Sequence, residues 1–514
     1  MDFYSPSFPL TFAFLLFLFM VFKKGKKDKA KAPVSNLPPG PWKLPIIGNM
    51  HQLLGPLPHH TLRDLARKHG PLMHLKLGEV STIVISSSKF AMEVMKTHDL
   101  SFADRPKLLP AKIITYNCTN IAFCSYGSYW RQLRKICTLE LLSAKRVESF
   151  SSIREEEVSN FIQSIWNAAN SPVDLSEKLF SLNNNIIARA AFGKKCKDKE
   201  RFISAMRDTL KVLGGFSIAD CFPSSRLVEA ASGLRFQCER VRHELDLIFD
   251  DIIEDHKQRS IRREGSEVGD VEETDFIDVL LSLQQQGGLE FPITTDNLKG
   301  IILDIFTGGT ESTSSVVEWA MSELMRNPRA MEKAQAEARQ VFSGKTKDGR
   351  DTNELSYLKS VLKETLRLHA PVPLLVPREC RKRCEIGGYR IPEKTRVLIN
   401  AWAIGRDPQQ WDDAESFKPE RFDESTIDFK GAHFELIPFG AGRRICPGVT
   451  FGVTNSMVPL AELLYYFDWK LPNNMEPKDL DMTENSGITA RRRSNLFLVP
   501  IPHIPLPVKM VSTI

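Results

Sequence analysis

The spacing of apolar residues changes along the chain. Residues 8–22 form one continuous apolar run without a charged side chain. Residues 72–77 (LMHLKL) and 80–86 (VSTIVIS) are short stretches rich in aliphatic and β-branched residues, which is typical of strands. In most of the remaining chain the apolar residues recur every three or four positions, as on the buried face of a helix. The pattern predicts a mainly α protein with a small β portion.

One helical pattern is much longer than the others. It runs from Thr294 to Met325, shortly before Pro328, and corresponds to about 48 Å of helix at 1.5 Å per residue. We therefore expect a long helix through the core. Inside it, the adjacent Gly308 and Gly309 each cost about 1 kcal/mol relative to alanine. They indicate either a groove widened for small ligands or a close approach between packed helices.

The N-terminal apolar run has the features of a membrane anchor. Its 15 residues would form a helix of about 22 Å, which residues 4–7 can extend toward the roughly 30 Å of bilayer hydrocarbon. Lysines follow the run and no small-x-small site does, which disfavours a cleaved signal peptide. The positive-inside rule places those lysines in the cytoplasm. We expect residues 1–22 to be a single-pass signal anchor in the endoplasmic reticulum membrane with the body cytoplasmic; a helix lying on the membrane surface is the alternative.

The rest of the chain divides into a linker and one large domain. Residues 23–49 are basic and then proline-rich (LPPGPWKLPIIGN, residues 37–49), so we expect a stiff hinge. Residues 50–514 contain no low-complexity join and are expected to form one domain. Within it, residues 259–275 are highly charged without an apolar face and are predicted to be an exposed loop.

The charge and the cysteines exclude two classes of protein. The net charge is +6, and +5 of it comes from the lysines at positions 23–31 together with Asp28. Because the body is close to neutral, we expect no nucleic-acid partner. The nine cysteines are odd in number and contain no C-x-x-C pair, which indicates a reducing compartment and not a disulfide scaffold.

One cysteine has unusual neighbours. Cys446 lies in FELIPFGAGRRICPG, residues 434–448, where Arg443 and Arg444 are expected to favour a thiolate or to pair with acidic groups. No second cysteine or histidine is close in sequence, so the ligands of a zinc site are missing. A single thiolate instead suits an iron that four porphyrin nitrogens already hold. Backbone positions that a Cβ would block, allowing close approach to a flat ligand, are expected at Gly440, Gly442 and Gly448.

These residues complete a known pattern. The motif Phe439-x-x-Gly442-x-Arg444-x-Cys446-x-Gly448 resembles the haem-binding signature of the cytochrome P-450 superfamily, the haem-thiolate monooxygenases. The resemblance implies the P-450 fold, a mainly α body with a long central helix and a small β portion. It also implies haem b (iron protoporphyrin) as cofactor, with Cys446 as the axial ligand of the metal.

Other segments extend the resemblance. Glu364 and Arg367 in KETLR, with Arg421 in FKPERF, are similar to the superfamily's structural Glu-Arg-Arg triad. The motif WRQLRK resembles the helix whose tryptophan and arginine hold a haem propionate. The implied cofactor-binding residues are Cys446, Trp130, Arg134, Arg378, Phe439 and Arg444.

The resemblance also assigns the middle of the long helix. Glu311 and Ser312 match the acid and alcohol with which the family relays protons during dioxygen activation. The family usually has Ala where this chain has Gly308, and Thr where it has Ser312. Serine keeps the hydroxyl but lacks the β-branch that restricts rotamers, and it can bond back to the carbonyl four residues earlier. Thr313 is therefore a second candidate for the catalytic alcohol.

The segments that correspond to the family's substrate-recognition regions are mostly aliphatic. We therefore expect an apolar small-molecule substrate held chiefly by shape. Three sequence segments resemble those of plant microsomal oxidases of terpenoids, especially of sesquiterpenes and macrocyclic diterpenes. They are LPPGPWKLPIIGNMHQL, WRQLRKICTLELLSAKRV and FELIPFGAGRRICPG. The segments that correspond to the substrate-recognition regions are residues 108–123, 213–222, 301–306, 371–376 and 485–489.

The resemblance thus implies a membrane-anchored monooxygenase that hydroxylates or epoxidises a sesquiterpene or diterpene. Besides membrane lipid, the implied partner is an NADPH-cytochrome P-450 reductase that supplies electrons, docking near Arg131, Lys135 and Arg443. Three alternatives stay open: a haem-thiolate isomerase or dehydratase that needs no external electrons, a monooxygenase of a phenolic or fatty-acid-like substrate, and a haem protein that binds or senses without turnover. The retained acid and alcohol argue against the isomerase.

Overall fold

Helices make up most of the molecule. The computed structural model describes residues 36–214, 217–264, 275–345, 350–485 and 487–506. The predicted anchor, residues 1–22, and the lysine-rich part of the hinge lie outside the described residues. In the part of the chain that is described, no helix combines the length and the apolar composition that spanning a bilayer requires.

The helices are distributed over the whole described chain. The α-helices are α1 (Pro58–His69), α2 (Ser88–Met92), α3 (Leu109–Ile114), α4 (Ser128–Cys137), α5 (Ala144–Ser149), α6 (Ser151–Trp166), α7 (Leu175–Phe192), α8 (Lys199–Leu213), α9 (Ile218–Cys221), α10 (Arg226–Ala231), α11 (Leu234–Glu264), α12 (Phe276–Gln286), α13 (Thr295–Arg326), α14 (Pro328–Phe342), α15 (Ser356–Leu368), α16 (Ala401–Ile404) and α17 (Val449–Tyr466). Short π-helical turns follow α2 and α4, at Glu93–Thr97 and Thr138–Leu142. Short 3-10 turns are Met50–Leu53, Asp99–Phe102, Thr352–Glu354, Pro419–Phe422, Gly442–Arg444, Pro472–Asn474 and Pro477–Asp479.

The β portion is small. Its strands are β1 (Leu72–Leu77), β2 (Val80–Ile85), β3 (Val173–Asp174), β4 (Arg378–Glu379), β5 (Cys384–Ile386), β6 (Tyr389–Ile391), β7 (Arg396–Ile399), β8 (Phe467–Lys470) and β9 (Phe497–Pro502). The described strands form sheets in the orders β1-β2-β7-β4, β3-β9-β8 and β5-β6. β1 and β2 are antiparallel, with Leu72 opposite Ile85, and β2 is parallel to β7. The two strands predicted from the sequence are confirmed as β1 and β2.

The long central helix is α13. It begins with a capping box, in which Thr294 Oγ1 accepts from the Asn297 amide (3.2 Å) and Asn297 Oδ1 accepts from the Thr294 amide (2.9 Å). It ends before Pro328, which has no amide hydrogen to continue the helical ladder. The predicted helix from Thr294 to Met325 is confirmed to within one residue at each end. α13 packs against α7 and α17 in the main apolar core.

The proline-rich part of the predicted hinge lies on the domain. The His74 amide donates to the Pro39 carbonyl (2.8 Å), and the Asn49 amide donates to the Lys76 carbonyl (2.6 Å). Residues 36–49 therefore lie alongside β1 as an irregular segment that is hydrogen-bonded to it.

The predicted loop at 259–275 is wrong at its beginning. Residues 259–264 continue α11, and residues 265–274 lie outside the described residues. A helix satisfies its backbone hydrogen bonds internally, so it can extend into solvent without an apolar face when its other end is packed. Cys238, Leu245 and Phe249 supply that packing, since each is fully buried.

A buried ion network fixes α15. Glu364 and Arg367 are at most 1% exposed, and Arg367 Nε and Nη2 donate to the Glu364 carboxylate at 2.7 and 2.8 Å. Arg421 Nε donates to the same carboxylate at 3.0 Å. The other N–H groups of Arg367 donate to three backbone carbonyls. Because every donor is satisfied, the cost of burying this charge is largely offset. The contacts expected of a Glu-Arg-Arg triad are confirmed.

Candidate active site

The loop around Cys446 is closed by its own backbone. The Cys446 amide donates to the Phe439 carbonyl (2.9 Å), and the Phe439 ring packs edge-on against Phe429 with 5.5 Å between centroids. Gly442 has φ +69°, and a Cβ there would lie 2.1 Å from the Met95 carbonyl oxygen. Only glycine fits this position without a shift of backbone.

The three glycines of this loop differ. Gly440, at φ +70°, is left-handed like Gly442. Gly448 has φ −92°, and a Cβ there would make only ordinary contact with Cys446 Sγ, at 3.8 Å. No described neighbour would therefore block a Cβ at Gly448, which precedes α17 in an unstrained conformation. Its amide hydrogen-bonds the Cys446 sulfur, as expected of a glycine that aims its N–H at the thiol.

The charge that faces the Cys446 thiol comes from α4. Burial raises the pKa of this half-buried thiol, while the Gly448 amide and the Arg134 guanidinium act in the opposite direction. The two arginines of the loop, expected beside the thiolate, point elsewhere, and Arg443 pairs with a carboxylate at 2.9 Å. Adjacency in sequence misled the prediction because consecutive side chains leave the backbone in different directions.

Three buried arginines lie beside this loop. Arg105, Arg378 and Arg444 are each at most 7% exposed. Most of their donors bond to backbone carbonyl groups, for example Arg444 Nε to Ala103 at 2.7 Å and Arg378 Nη2 to Ala441 at 2.9 Å. Backbone carbonyls satisfy the hydrogen bonds but do not neutralise the charges.

Two carboxylates lie near these arginines, and each also pairs with an exposed arginine. Arg378 lies 3.3 Å from the Asp99 carboxylate, which Arg443 also contacts. Asp104 acts on Arg105 and Arg444, and its carboxylate lies 3.6 Å from Arg381. Burial, together with like charges nearby, lowers the pKa of Arg105 well below its usual value and that of Arg444 to about 10. The cluster thus carries an excess of buried positive charge, which an anionic ligand would compensate.

Trp130 on α4 connects the arginines to the cysteine side. Its indole N–H donates to the Ile121 carbonyl (3.1 Å), and its ring centroid is 4.5 Å from the Arg444 guanidinium and 5.3 Å from that of Arg134. The structure therefore gathers the predicted cofactor residues in one region. They fit haem b, with a thiolate for the iron and guanidinium groups for two propionates. The residues so gathered are Cys446, Trp130, Arg134, Arg378, Phe439 and Arg444.

The two glycines of α13 have separate roles. A Cβ at Gly308 would meet nothing within 4 Å, so this glycine opens space. A Cβ at Gly309 would lie 2.7 Å from Ile187 Cδ1, so this glycine permits the packing of α13 on α7. Ser312, one turn after Gly308, donates its hydroxyl to the Gly308 carbonyl at 2.5 Å. This is the back-bond expected of a serine at that position.

The other two predicted catalytic side chains point away from Ser312. Glu311 is 5% exposed, and its carboxylate lies 3.5 Å from Thr489 Oγ1 and 3.8 Å from Arg491 Nε. Burial raises the pKa of Glu311, and Arg491 opposes this shift. Thr313 is buried, and a Cβ at Gly452 of α17 would lie 3.8 Å from its hydroxyl oxygen. Of these three side chains, Ser312 is the one that bonds to the Gly308 carbonyl, on the face of α13 that Gly308 leaves open.

Asp304 ties α13 to the loop after α3. Its carboxylate accepts from the Asn120 side-chain amide (2.5 Å) and from the backbone amides of the next two residues (2.7 and 3.0 Å). The Ile121 carbonyl in turn accepts from Trp130 and Arg444. Burial raises the pKa of Asp304 to about 6. One peptide unit therefore joins α13 to the arginine cluster.

The segments predicted to face the substrate meet in their described parts. Residues 108–123 pack with Leu213 and Val376 in one apolar cluster. Gly214 is so close to Ile488 that a Cβ would lie 2.3 Å from the Ile488 amide nitrogen. Asp304 of α13 joins these segments through the hydrogen bonds that it accepts from residues 120–122. Together they form a largely aliphatic wall, which Asp304 bonds to α13 one turn before Gly308.

Comparison with known proteins decides the family. A family model described as cytochrome P450 matches residues 38–499. The chain belongs to the cytochrome P450 family. Premnaspirodiene oxygenase of Hyoscyamus muticus is 54% identical over 495 residues, which cover 96% of this chain and 98% of that protein. Desmethyl-deoxy-podophyllotoxin synthase of Sinopodophyllum hexandrum is 56% identical over 497 residues, covering 96% and 97%.

A solved structure supports the fold. A zebrafish cytochrome P450 structure with abiraterone has a TM-score of 0.70 and 24% identity, and the match covers 87% of this chain and 100% of that chain. The predicted P450 fold, mainly helical with a small β part, is confirmed. This cytochrome P450 is a monooxygenase, and its family implies the haem cofactor that the arginines and Cys446 fit.

Two residues of this site were missing from the sequence prediction. Arg105 stands in FADRP, and Asp304 stands in the apolar stretch IILDIF. Asp304 bonds a side chain 184 positions away, so no local spacing indicates the contact. The available signal was a single carboxylate on an apolar helix face, since a buried carboxylate requires donors.

Replacing Asp304 should loosen the loop that it holds. Asp304→Ala leaves three donors without an acceptor, at roughly 1–3 kcal/mol for each one that stays buried. Hydrogen exchange followed by mass spectrometry should show faster exchange at the Ile121 and Ala122 amides. Asp296→Ala, at an exposed position of the same helix, is the control and should leave both amides protected. Unchanged exchange in Asp304→Ala would contradict this role.

Proposed function

We propose that this cytochrome P450 inserts one oxygen atom of dioxygen into an apolar plant terpenoid, a sesquiterpene or diterpene, by hydroxylation or epoxidation. The observation that carries the proposal is the aliphatic wall bonded to α13, together with the space that Gly308 leaves open on that helix, which suits a hydrocarbon without charged groups. The relative named premnaspirodiene oxygenase supports the same substrate class.

A second candidate substrate class has its own support. The relative that is 56% identical is named for the synthesis of desmethyl-deoxy-podophyllotoxin, a compound other than the one named in premnaspirodiene oxygenase. A phenolic or fatty-acid-like substrate is the alternative. Both classes are apolar, so the aliphatic wall does not separate them.

The residues of this chain divide the work. Haem, when bound, supplies the activation of dioxygen. Cys446 would hold the metal and donate electron density to it, and the buried arginines would hold the anionic edge of the cofactor. Ser312 handles protons at the open face of α13, and the buried Glu311 carboxyl lies on another face of the same helix, beside Thr489 and Arg491. The aliphatic segments orient the substrate and exclude water. The acid and alcohol would be idle in an isomerase or dehydratase.

Electrons reach the site from outside this chain in our proposal. An NADPH-cytochrome P450 reductase would dock on the cysteine side, where Arg131, Lys135 and Arg443 are exposed. Basic side chains of this kind favour encounter with an acidic flavin domain.

We further propose that residues 1–22 anchor the protein in the endoplasmic reticulum membrane with the catalytic body cytoplasmic. Large apolar side chains on the described surface support contact with lipid: Trp42 is 66% exposed, Leu54 84%, Leu227 83% and Phe236 72%. The turn that precedes Leu54 and helix α9 pack into one apolar cluster. The surface around Leu54 and the surface around α9 are therefore neighbours.

A substrate panel tests the function. Microsomes that contain the full chain and a plant reductase are incubated with terpene hydrocarbons, with phenolic candidates and with or without NADPH. We expect substrate-dependent NADPH consumption and terpenoid products one oxygen atom heavier by mass analysis. Cys446→Ser should lose this activity and the red-shifted band of the reduced, carbon-monoxide-bound protein. Cys196→Ser, at another half-buried cysteine, should keep both.

Two outcomes of that panel would decide against the proposal. Products formed without NADPH would favour an isomerase or dehydratase. Oxygenation of the phenolic candidates alone would favour the second substrate class.

Protease treatment of sealed microsomes tests the topology. We expect digestion of the catalytic body while a lumenal marker protein stays intact, because the lysines after the anchor retain the body in the cytoplasm. Adding detergent should then expose the marker as well. Full protection of the body in sealed vesicles would show the opposite orientation.

Restoring the family's threonine should improve the coupling of electrons to product. A proton donor helps only within hydrogen-bond reach, about 2.6–3.2 Å. Ser312 turns to the Gly308 carbonyl, whereas the branched Cβ of threonine restricts the hydroxyl to fewer rotamers. Ser312→Thr should raise the fraction of NADPH electrons found in product. Ser312→Ala should lower product formation by up to about 10²-fold while NADPH is still consumed and hydrogen peroxide is released.

Thr313→Ala is the matched control, because the Thr313 hydroxyl lies on the α17 side of the helix. It should keep the coupling of the wild type. If it loses coupling while Ser312→Ala retains it, Thr313 is the catalytic alcohol. If neither variant changes coupling, ordered water carries the protons.

A further inference from the structure

Two thiols meet at a turn on the sheet that carries Arg378. Cys380 directly follows β4, and Cys384 is the first residue of β5. Cys380 is fully buried, Cys384 is half-buried, and both belong to the same apolar cluster. Their side chains are joined by a hydrogen bond, and Cys380 Sγ also lies 3.2 Å from the Lys382 carbonyl oxygen. The turn therefore holds one accessible thiol directly against one inaccessible thiol.

The residues between the two thiols are all basic. Arg381, Lys382 and Arg383 are exposed, so the half-buried Cys384 thiol lies at the end of a basic surface segment. Cationic neighbours and partial exposure are the conditions under which a cysteine becomes a reactive thiolate. Neither cysteine contributes to the cofactor residues described above.

We propose that Cys380 and Cys384 form an oxidisable dithiol that closes reversibly to a disulfide, with hydrogen peroxide as the oxidant. The Cys384 thiolate attacks one peroxide oxygen, forming a sulfenic acid and releasing hydroxide, which takes up the proton lost from the thiol to give water. The Cys380 thiol then displaces the sulfenic hydroxyl, forming the S–S bond and a second water. In total, two thiols and one peroxide give one disulfide and two waters, and a dithiol reductant reverses the reaction.

The oxidant has a local source if the proposed function holds. Ser312 is bonded to the Gly308 carbonyl, and an alcohol turned away from dioxygen allows peroxide to escape in place of product. This local source of peroxide rests on the proposed function. The dithiol does not, since peroxide from any source would oxidise it.

The position of the pair links its oxidation state to the cofactor. The Cys380 amide donates to the Thr395 carbonyl (2.9 Å), which holds the end of β4 in place. Arg378, two residues earlier on the same strand, reaches Asp99 and the Ala441 carbonyl. Closing the disulfide draws the start of β5 toward the end of β4. The resulting shift of β4 should weaken the hold of the arginine cluster on haem.

The experiment uses the full-length holoprotein in detergent. Diamide oxidises thiols without attacking haem, and phenylarsine oxide bridges two thiols only when they are neighbours. We expect diamide to remove two hydrogen atoms from the protein mass, and peptide mapping should find Cys380 linked to Cys384. One equivalent of phenylarsine oxide should block the reaction, and dithiothreitol should reverse it. Haem transfer to apomyoglobin should become severalfold faster in the oxidised protein.

Three variants make the assignment specific. Cys384→Ser and Cys380→Ser should each abolish both the cross-link and the faster haem transfer. Cys196→Ser, which removes a half-buried cysteine elsewhere, should behave as the wild type. If Cys380→Ser fails to fold because its side chain is fully buried, Cys384→Ser carries the test alone.

Several results would overturn the proposal. Oxidation of Cys384 to a sulfinic acid without a cross-link, or no capture of the arsenical, would show that the thiols are not a functional pair. A cross-link that leaves haem transfer unchanged would overturn the link to Arg378. The source of peroxide is tested separately by turnover with NADPH and substrate, with and without catalase. A cross-link with diamide but none during uncoupled turnover of Ser312→Ala would contradict the peroxide leak of the proposed function and leave the dithiol standing.

Discussion

Burying several guanidinium groups in one place is unfavourable unless negative charge meets them. Arg105, Arg378 and Arg444 are buried together, and much of their hydrogen bonding goes to backbone carbonyls. Asp99 is shared between Arg378 and Arg443, and Asp104 is shared with exposed Arg381, so these two carboxylates do not neutralise the cluster. The folded protein therefore needs an anionic ligand at this point. The stability of the domain and the retention of haem depend on the same charges, so a change that affects one should affect the other.

The cofactor side and the substrate side are joined through a few backbone groups. The peptide unit between Ile121 and Ala122 donates the Ala122 N–H to Asp304 on α13, and its Ile121 carbonyl accepts from Trp130 and Arg444. A displacement of the loop by a bulky substrate would reach the arginines through this one peptide. The aliphatic wall and the cofactor residues are thus parts of one rigid arrangement and not two independent sites.

The sequence predicted what local patterns determine. β1, β2 and α13 follow from short apolar runs, helical spacing and Pro328, and the ion pair within α15 follows from the i,i+3 spacing of Glu364 and Arg367. Local patterns do not give the direction of a side chain or its distant partner. Arg443 binds a carboxylate, as one of the two expectations had it, but its partner Asp99 lies far away in the chain, and the cation that acts on Cys446 is Arg134 from α4. The contacts of Asp304 and the burial of Arg105 arise only when segments far apart in the chain pack together.

The departures of this chain from its family's usual residues lie on one helix face. Gly308 in place of alanine and Ser312 in place of threonine are one turn apart, and each removes one methyl group. Gly309, rotated about 100° from Gly308, lies against Ile187 and contributes nothing to that space. Two lost methyl groups on one face enlarge the same groove and free the same hydroxyl to turn to the Gly308 carbonyl. The two substitutions therefore act together: they loosen the position of the proton donor and leave more room for water beside it. A groove with more room also admits water that can take over part of the proton delivery, which is how a cytochrome P450 with a loosely held serine can still turn over.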